Sequence, residues 1–157
     1  MGVEVSSQVD ISYQEELWIW RNSGTPAAWS ATQILGVETV AMPERTPDAV
    51  DVTHQQSPGR TREEIPGLMS SADMSQELQF WPDHASQIAL MALADLTEAG
   101  TPESIRVTMV VGGIQRTYRA HVQAFIPTGT VGDKRMASCS IKIFNRISPE
   151  PELPETP

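Results

Sequence analysis

An alternation of apolar and polar residues around a glycine pair constrains this chain more than any other feature. Over residues 104–111 apolar side chains occupy every second position, which is the period of a β-strand with one buried face. Gly112-Gly113 then suits a two-residue hairpin turn, because both central residues need positive φ. The return strand is expected over residues 114–126. A hairpin closed there places two pairs on one face: Tyr118 opposite Val107, and Ala120 opposite Ile105.

Two further alternating segments flank a long polar connection in the middle of the chain. Val50 and Val52 point to one face, and Met74, Leu78 and Phe80 share a face after the connection. The connection, about residues 54–72, contains the turn signals Ser57-Pro58-Gly59 and Ile65-Pro66-Gly67. Connections of this length are uncommon in compact domains and usually bind something or stay disordered.

The first predicted strand, residues 16–21, is apolar on both faces. Leu17 and Ile19 form one face, and Trp18 and Trp20 form the other. Two apolar faces indicate that both are covered. We therefore expect the core on one side and a neighbouring subunit against Trp18 and Trp20 on the other. Further strands are predicted over residues 34–42, where Gly36 interrupts the pattern, and over residues 136–145.

One helix is predicted over about residues 82–99. Pro82 suits a first turn, Asp83 favours the positive end, and Gly100 suits the position just past the C-terminus. Leu90 and Met91 fall on the polar side of the helical wheel, where they would be expected at a subunit contact. The predicted buried face is an alanine-rich arc that comprises Ala85, Ile88, Ala89, Ala92, Leu93, Leu96 and Ala99.

The order of these elements predicts a mainly β (α+β) protein. We expect about seven strands in an antiparallel β-sandwich or barrel with one flanking α-helix. The domain would span residues 15–147. Residues 1–14 are polar and unpatterned and predict a flexible N-terminal arm, whereas residues 148–157 are rich in Pro and Glu and predict a disordered tail.

Composition and motifs argue against several classes of function. A formal charge of −9 and a pI near 4.7 disfavour a nucleic-acid-binding surface. No apolar run approaches the roughly 20 residues of a membrane span. The three histidines are not at zinc-ligand spacing, and Cys139, the lone cysteine, lies on the apolar face of its strand. We predict no catalytic, metal or cofactor site.

Several segments together resemble one protein family. Asp51-Val52-Thr53, Ser57-Pro58-Gly59 and Ile65-Pro66-Gly67-Leu68 occur in this order before a strand. The segment 17–24, LWIWRNSG, is similar to an early hairpin, and the segment 125–133, FIPTGTVGD, to a last loop. In their order and spacing these pieces resemble the major tail tube proteins of long-tailed, lambda-like bacteriophages, over roughly residues 15–147.

The resemblance implies a structural virion protein and no enzyme. Subunits of that family form hexameric rings, and the rings stack into the tube that delivers the genome. The implied partners are other copies of the chain, a tape measure protein, and tail-terminator or baseplate proteins. DNA would pass through the lumen without specific binding, since six copies at −9 give about −54 formal charges per ring. The implied location is the virion tail, assembled in the host bacterial cytoplasm.

The same resemblance implies where subunits meet. The arm would contact a neighbouring subunit. From their polar strand faces, Glu38, Asp73 and Glu77 are the candidates for lumen-facing acidic residues, and the alternative that they face the outside of the tube stays open. A stacking loop would contact the adjacent ring, with Ser57 to Arg60 disordered in a monomer and ordered in a tube. That loop comprises His54, Gln55, Gln56, Ser57, Pro58, Gly59, Arg60, Arg62, Glu63 and Glu64.

Two other interpretations stay open at this point. A tube protein of a gene-transfer or type VI-like secretion system would share this fold type. A monomeric β-barrel that binds a small apolar ligand would need large inward side chains around a cavity. The inward alanines of the predicted helix and strands favour close packing instead.

Overall fold

One seven-stranded antiparallel sheet forms the body of the chain, whose computed structural model describes residues 15–24 and 26–154. The arm predicted for residues 1–14 lies outside them. Within these residues the elements are β1 (Glu16–Ser23), β2 (Ala28–Gln33), β3 (Val37–Thr39), β4 (Pro47–Asp51), β5 (Glu64–Met69), β6 (Ala72–Gln79), α1 (Ala85–Glu98), β7 (Ile105–Val111), β8 (Ile114–Thr128) and β9 (Met136–Arg146).

The strand order in the large sheet is β2-β1-β7-β8-β9-β6-β3, and β4 and β5 form a separate hairpin. The sheet curls into a half-barrel, and the prediction of a mainly β fold with one flanking helix is confirmed. Strands β2 and β3 are the two edges of this sheet. Each therefore has one side without a strand partner among residues 15–24 and 26–154.

The central hairpin has the predicted register. Ile105 pairs with Ala120 and Val107 pairs with Tyr118. Gly112 and Gly113 adopt φ values of +59° and +80°, which a side chain would disfavour at both turn positions. Local turn chemistry and the two-residue period therefore sufficed to fix this part of the fold.

The strand predicted over residues 34–42 is confirmed only for the three residues of β3, which follow Gly36 and form one edge of the sheet. The opposite edge is β2, which ends at Gln33 and was not predicted. Gly36 lies in the crossing segment with φ +83°, and a Cβ there would lie 3.1 Å from Gln87 Nε2 and 3.2 Å from the carbonyl oxygen of Gln79. The glycine is needed for this close crossing, and the polar, exposed edge strand β2 had no alternating signature.

The buried face of the helix also differs from the prediction. Helix α1 covers one face of the sheet, and its fully buried apolar side chains are Leu90 and Leu93, with 0% and 1% exposure. The predicted outward orientation of Leu90 is therefore wrong. Ile88 and Leu96, predicted to be buried, are 48% and 36% exposed. The core beneath the helix includes Leu17, Ile19, Met74, Leu78, Ile105, Val107, Met109, Ala120, Val122, Cys139, Ile141 and Ile143.

Polar side chains explain the rotation of the helix. Gln87 is 0% exposed. Its Nε2 donates to the carbonyls of Gln79 at 2.6 Å and Leu35 at 3.2 Å, and its Oε1 accepts from the backbone N–H of Trp81 at 2.7 Å. Three turns further along, the Thr97 hydroxyl donates to the carbonyl of Val122. These bonds satisfy backbone groups at the sheet rim, so polar residues face inward.

The ends of the helix follow the expected chemistry more closely. His84 is the N-cap, and its Nδ1 accepts from the backbone N–H of Ser86 at 3.2 Å. Gly100 adopts φ +85° just past the last turn, as predicted for a glycine at that position. Within the described part of the chain, no helix is long and apolar enough to cross a membrane.

Substituting the helix tests its orientation. Leu90→Lys should prevent folding or cost at least about 3 kcal/mol, because a charge would enter the core and Leu packing would be lost. Ile88→Lys, on the exposed side, should change the free energy of unfolding by less than about 0.5 kcal/mol. Urea denaturation of both variants measures the contrast. Equal stabilities would contradict the orientation described.

Removing the buried amide tests the rim bonds. Gln87→Leu keeps a similar volume but leaves two carbonyls and one N–H without their partner, so we expect a loss of about 2–4 kcal/mol. Gln56→Leu, at an exposed position, is the matched control and should lose less than about 0.5 kcal/mol. Chemical denaturation gives both values. A neutral Gln87→Leu variant would show that these bonds do not hold the helix.

Candidate assembly surfaces

The hairpin of β4 and β5 stands apart from the large sheet. All five residues of β4 and five of the six residues of β5 are exposed. Val50 pairs with Ile65, and Val52 lies on the same face as Val50 because strand side chains alternate. These three apolar residues are 45%, 50% and 39% exposed in the order Val50, Ile65, Val52. An isolated two-stranded hairpin is marginal in water, so this one is suited to packing against another surface.

Side-chain hydrogen bonds organise the tip of the hairpin. Ser57 Oγ donates to Glu63 Oε2 at 2.6 Å and accepts from the backbone N–H of His54 at 2.9 Å. The backbone N–H of Glu63 donates to Thr53 Oγ1 at 2.9 Å. A short 3-10 turn, Pro58–Arg60, completes the tip. These bonds favour an ordered tip in a single chain, whereas the sequence predicts order for Ser57 to Arg60 in the tube alone.

Cations dominate the end of this tip. Arg60 and Arg62 are exposed, and neither forms an ion pair within residues 15–24 and 26–154. Glu63 lies 3.4 Å from His54 Nε2, so this carboxylate is turned into the tip. All ten residues of the predicted stacking loop therefore fall on one projecting feature, from His54 to Glu64.

The outward side of α1 carries an apolar stripe. Ile88 and Leu96 lie two helical turns apart, eight residues, on this side. The stripe also includes the exposed residues Ala85, Ala92 and Ala99. Asp95 and Glu98 lie beside its C-terminal half, and the last turn contains no basic residue. Met91, one of the predicted contacts, is half-buried, while Leu90 is inside the core.

The face of the sheet opposite the helix carries the three acidic residues predicted for the lumen. Asp73 and Glu77 alternate with the buried residues of β6, and Glu38 accepts from Gln79 of the same strand at 3.5 Å. Lysines accompany two of them. Asp73 Oδ1 lies 3.5 Å from Lys142 Nζ, and Glu38 Oε2 lies 2.7 Å from Lys134 Nζ. The hydrogen bond from Lys134 holds the pKa of Glu38 below its usual value.

Hydroxyl and amide groups fill the space between these charges. Ser75 and Ser138 hydroxyls lie 3.3 Å apart, and Ser140 Oγ donates to Gln123 Oε1 at 3.2 Å. Burial, with a smaller contribution from Lys142, lowers the pKa of His121 on the same face. Arg106 and Arg119, which pair across β7 and β8, also lie on this face. The face is therefore polar and carries charges of both signs, whereas the whole chain has a formal charge of −9.

The tryptophans predicted as a subunit contact lie on the same face near β7. Trp18 and Trp20 are only 5% and 8% exposed. Trp20 Nε1 donates to Thr108 Oγ1 at 2.9 Å, and Thr108 Oγ1 lies 2.8 Å from Thr117 Oγ1. Little of either indole is left for a neighbouring subunit to contact. The indole N–H of Trp18 is buried with no hydrogen-bond partner among the described residues.

The Pro-rich tail returns to this face as far as the structure describes it. The backbone N–H of Ile147 donates to the carbonyl of Thr117 at 2.9 Å, and Gln115 Nε2 donates to the carbonyl of Pro151 at 2.7 Å. Arg146 also bonds Glu150 Oε1 at 3.0 Å. Disorder over residues 148–157 stays a prediction that these contacts do not favour.

Two grooves on the described part of the chain contain no catalytic arrangement of side chains. One of about 450 Å³ at the base of the hairpin is lined by Arg45, Arg119, Arg146 and Phe144, among others. A second, also about 450 Å³, lies beside Trp81 at the start of the helix. Cys139 is enclosed in the core, where burial raises the pKa of its thiol to about 12. A thiol that stays protonated is inert as a nucleophile.

Comparison with known families decides the class of this protein. The sequence matches the family model described as lambda phage tail tube protein over residues 13–150. The chain belongs to this family. It is a structural tail tube subunit of a virion tail and not an enzyme. No curated protein sequence matches the chain at a significant level.

Solved structures share the fold of this tail tube protein at low sequence identity. The tail of an empty gene transfer agent particle, refined with C6 symmetry, has a TM-score of 0.58 and 17% identity, covering 82% of this chain and 91% of that chain. A sheath/tube terminator structure of an extracellular contractile injection system has a TM-score of 0.59 and 9% identity, covering 92% and 98%. The SPP1 tail tube has a TM-score of 0.52 and 13% identity, covering 84% and 75%.

The outward helix stripe is the surface that sequence reasoning missed. Both sides of the helical wheel contain apolar residues, and the richer side was assigned to the core. Ser86 and Gln87 are the residues from which the buried side of the helix could be predicted. A polar pair next to the capping His84 can satisfy backbone groups of the preceding loop and therefore face inward. Their contacts became visible only when the loop and the helix were placed together.

Hydrogen exchange tests the order of the hairpin tip. In a dilute monomer, the amides of His54, Ser57 and Glu63 should be protected, because each donates to a group within the tip. Glu63→Ala removes the acceptor of Ser57 and should speed exchange at His54 and Ser57 about tenfold. Glu64→Ala, at the neighbouring exposed residue, is the control. Unprotected amides in the unsubstituted monomer would instead support ordering on assembly.

Proposed function

We propose that six copies of this tail tube protein close into a ring and that rings stack into the tube through which the genome is delivered. The observation that carries the proposal is an open, curled sheet with two free edge strands in a chain of the tail tube family. The fold relative in a C6 tail supports the number of copies. Repeated heterologous contact between the two edges closes by rotation, which is the geometry of a ring.

The free side of β2 can be located from its hydrogen bonds. The backbone N–H of Ile34 donates to the carbonyl of Leu17 at 2.8 Å, which makes this a hydrogen-bonded pair. Hydrogen-bonded and non-bonded pairs alternate along an antiparallel ladder, and β2 pairs with β1 in continuous register. The N–H and C=O groups of Trp29, Ala31 and Gln33 therefore point away from β1, towards the free edge.

An unpaired edge of this kind needs a partner or a cover. The opposite edge, β3, has three residues, and its register shifts against β6. If β2 of one copy paired with β3 of the next copy, the backbone N–H and C=O groups at both edges would form hydrogen bonds. Six half-barrels joined in this way would give one continuous wall around a lumen.

The sheet face opposite the helix would line that lumen. Its Ser75, Ser138 and Gln123 are neutral, and Asp73 and Glu38 are balanced by lysines. Arg106 and Arg119 on the same face are neighbours across β7 and β8. The face therefore carries charges of both signs and would not form a continuous basic track that holds DNA, so DNA would bind weakly and slide. Glu77 would add a negative charge that repels phosphates. The proposal places all three predicted acidic residues in the channel.

The hairpin would join the rings to each other, and the arm would join neighbouring subunits. The exposed apolar rows and the charged tip of the hairpin project beyond the sheet, which suits the predicted contact of the stacking loop with the adjacent ring. The arm of residues 1–14 is proposed to contact a neighbouring subunit. A tape measure protein within the tube and terminator or baseplate proteins at its ends are the further proposed partners.

A gene-transfer-agent tube is the second candidate. Two of the fold relatives are described as a gene transfer agent tail and virion, at 17% and 16% identity. The physical function would be the same, with a different particle. Genes for a phage replication and lysis programme around this one would favour the phage, and their absence beside a complete capsid and tail set would favour the gene transfer agent.

Electron microscopy of the purified protein and of Ala31→Pro tests the ring. The unsubstituted chain should form rings or hollow tubes under negative stain and large species in gel filtration. Proline at position 31 removes one edge N–H but no bond to β1, so the variant should keep its circular dichroism and lose assembly by at least about tenfold. Ala31→Thr keeps the N–H and should assemble. A chain that stays monomeric at every concentration would overturn the proposal, and assembly by Ala31→Pro would overturn the use of this edge.

A further inference from the structure

We infer that the hairpin of one copy docks on the outward stripe of helix α1 of a second copy. This inference rests on the proposed tube, because it names a pair of surfaces that would meet when copies assemble. Both surfaces are exposed in a single chain, so neither covers the other within it. They are also different from one another, and a contact between different surfaces can repeat from copy to copy.

The hairpin brings an apolar row of matching size. Val50, Val52 and Ile65 share a face, and Gly67 approaches the same face so closely that a Cβ there would lie 2.7 Å from Val50 Cγ2. Because Gly67 has no side chain, Val50 can lie across the neighbouring strand at this position. A helix ridge built from one isoleucine, one leucine and three alanines can fit against such a surface with close packing.

The tip of the hairpin holds a cation in a strained conformation. Arg60 adopts φ +57°, the one positive φ of a non-glycine residue among those described. Left-handed backbone at such a residue costs roughly 1 kcal/mol, and strain of this kind is found mostly where a position has a function. The Arg60 side chain is exposed, with Arg62 close by in sequence, and no carboxylate within the described residues pairs with either.

The C-terminal end of the helix carries negative charge without a cation among the described residues, and the hairpin tip carries arginines. Asp95 and Glu98 lie near the C-terminal end of α1, where the helix dipole already places negative charge and carboxylates are unfavourable. Neither forms an ion pair in the part of the chain that the structure describes. Cations from a second copy would neutralise both the carboxylates and the end of the helix. The apolar row of the hairpin would therefore pack on the apolar stripe of α1, and the arginines of the tip would lie against the carboxylates of the helix. Together these two contacts fix one orientation of the docked hairpin.

Charge reversal tests the polar half of this contact. Arg60→Glu and Glu98→Arg should each lower the yield of rings or tubes about tenfold, because like charges would meet. The double variant Arg60→Glu/Glu98→Arg should restore the yield to within about threefold, since each contact regains an opposite pair. Arg60→Lys and Asp83→Arg, the latter at the other end of the same helix, are the controls and should assemble. All variants should keep their thermal midpoint, because the changed side chains are exposed.

Disulfide cross-linking tests the proximity of the two surfaces. Arg62→Cys/Leu96→Cys should give a ladder of linked copies on a non-reducing gel after mild oxidation, and each single variant should not. The native Cys139 is 0% exposed, so it should form no cross-link of its own. Oxidation of the unsubstituted chain is the control for this. Tubes under the microscope without a ladder and without charge-reversal rescue would overturn the docking and leave the tube intact. Absence of any assembly by the unsubstituted chain would overturn the tube itself.

Discussion

A single helix has to cover the buried face of a single curled sheet, and the rest of the structure depends on how that helix is rotated. Leu90 and Leu93 fill the core, while Gln87 binds two carbonyls and one N–H at the rim. These three positions allow one rotation. Because the helix has apolar residues all round, this rotation leaves Ile88 and Leu96 in solvent. The surface stripe is thus a direct consequence of the core contact.

Three surfaces of a single chain lack a packing or hydrogen-bonding partner among the described residues. The proposed assembly would supply a partner for each of them. The sheet has free edges at β2 and β3, the β4–β5 hairpin lacks support, and α1 exposes an apolar stripe with carboxylates at its negative end. Edge pairing would satisfy backbone groups, and hairpin docking would cover apolar surface. A tail tube subunit that is marginal alone and complete when stacked would assemble only in its proper geometry.

The net charge of the chain differs from the local charge of the face proposed to line the channel. The whole chain is acidic, at −9, but the face opposite the helix pairs Asp73 with Lys142 and Glu38 with Lys134. Net charge alone suggested a strongly negative lumen. Local pairing, together with Arg106 and Arg119, gives a face of hydroxyls, amides and ions of both signs, which would neither hold nor strongly repel a passing DNA duplex. The unpaired Arg60 and Arg62 lie on the hairpin tip.

The sequence by itself determined the local elements and the family. The two-residue period and Gly112-Gly113 fixed the register of the central hairpin, Gly100 marked the end of the helix, and ordered motifs indicated a tail tube protein. Tertiary structure alone decided the helix face, the crossing at Gly36 and the exposure of Trp18 and Trp20. Hydropathy patterns record which residues avoid water, whereas these features depend on contacts between distant groups: Gln87 with backbone groups of the loops, and Trp20 with the hydroxyl of Thr108. These contacts arise only when the strands and the helix have been brought together.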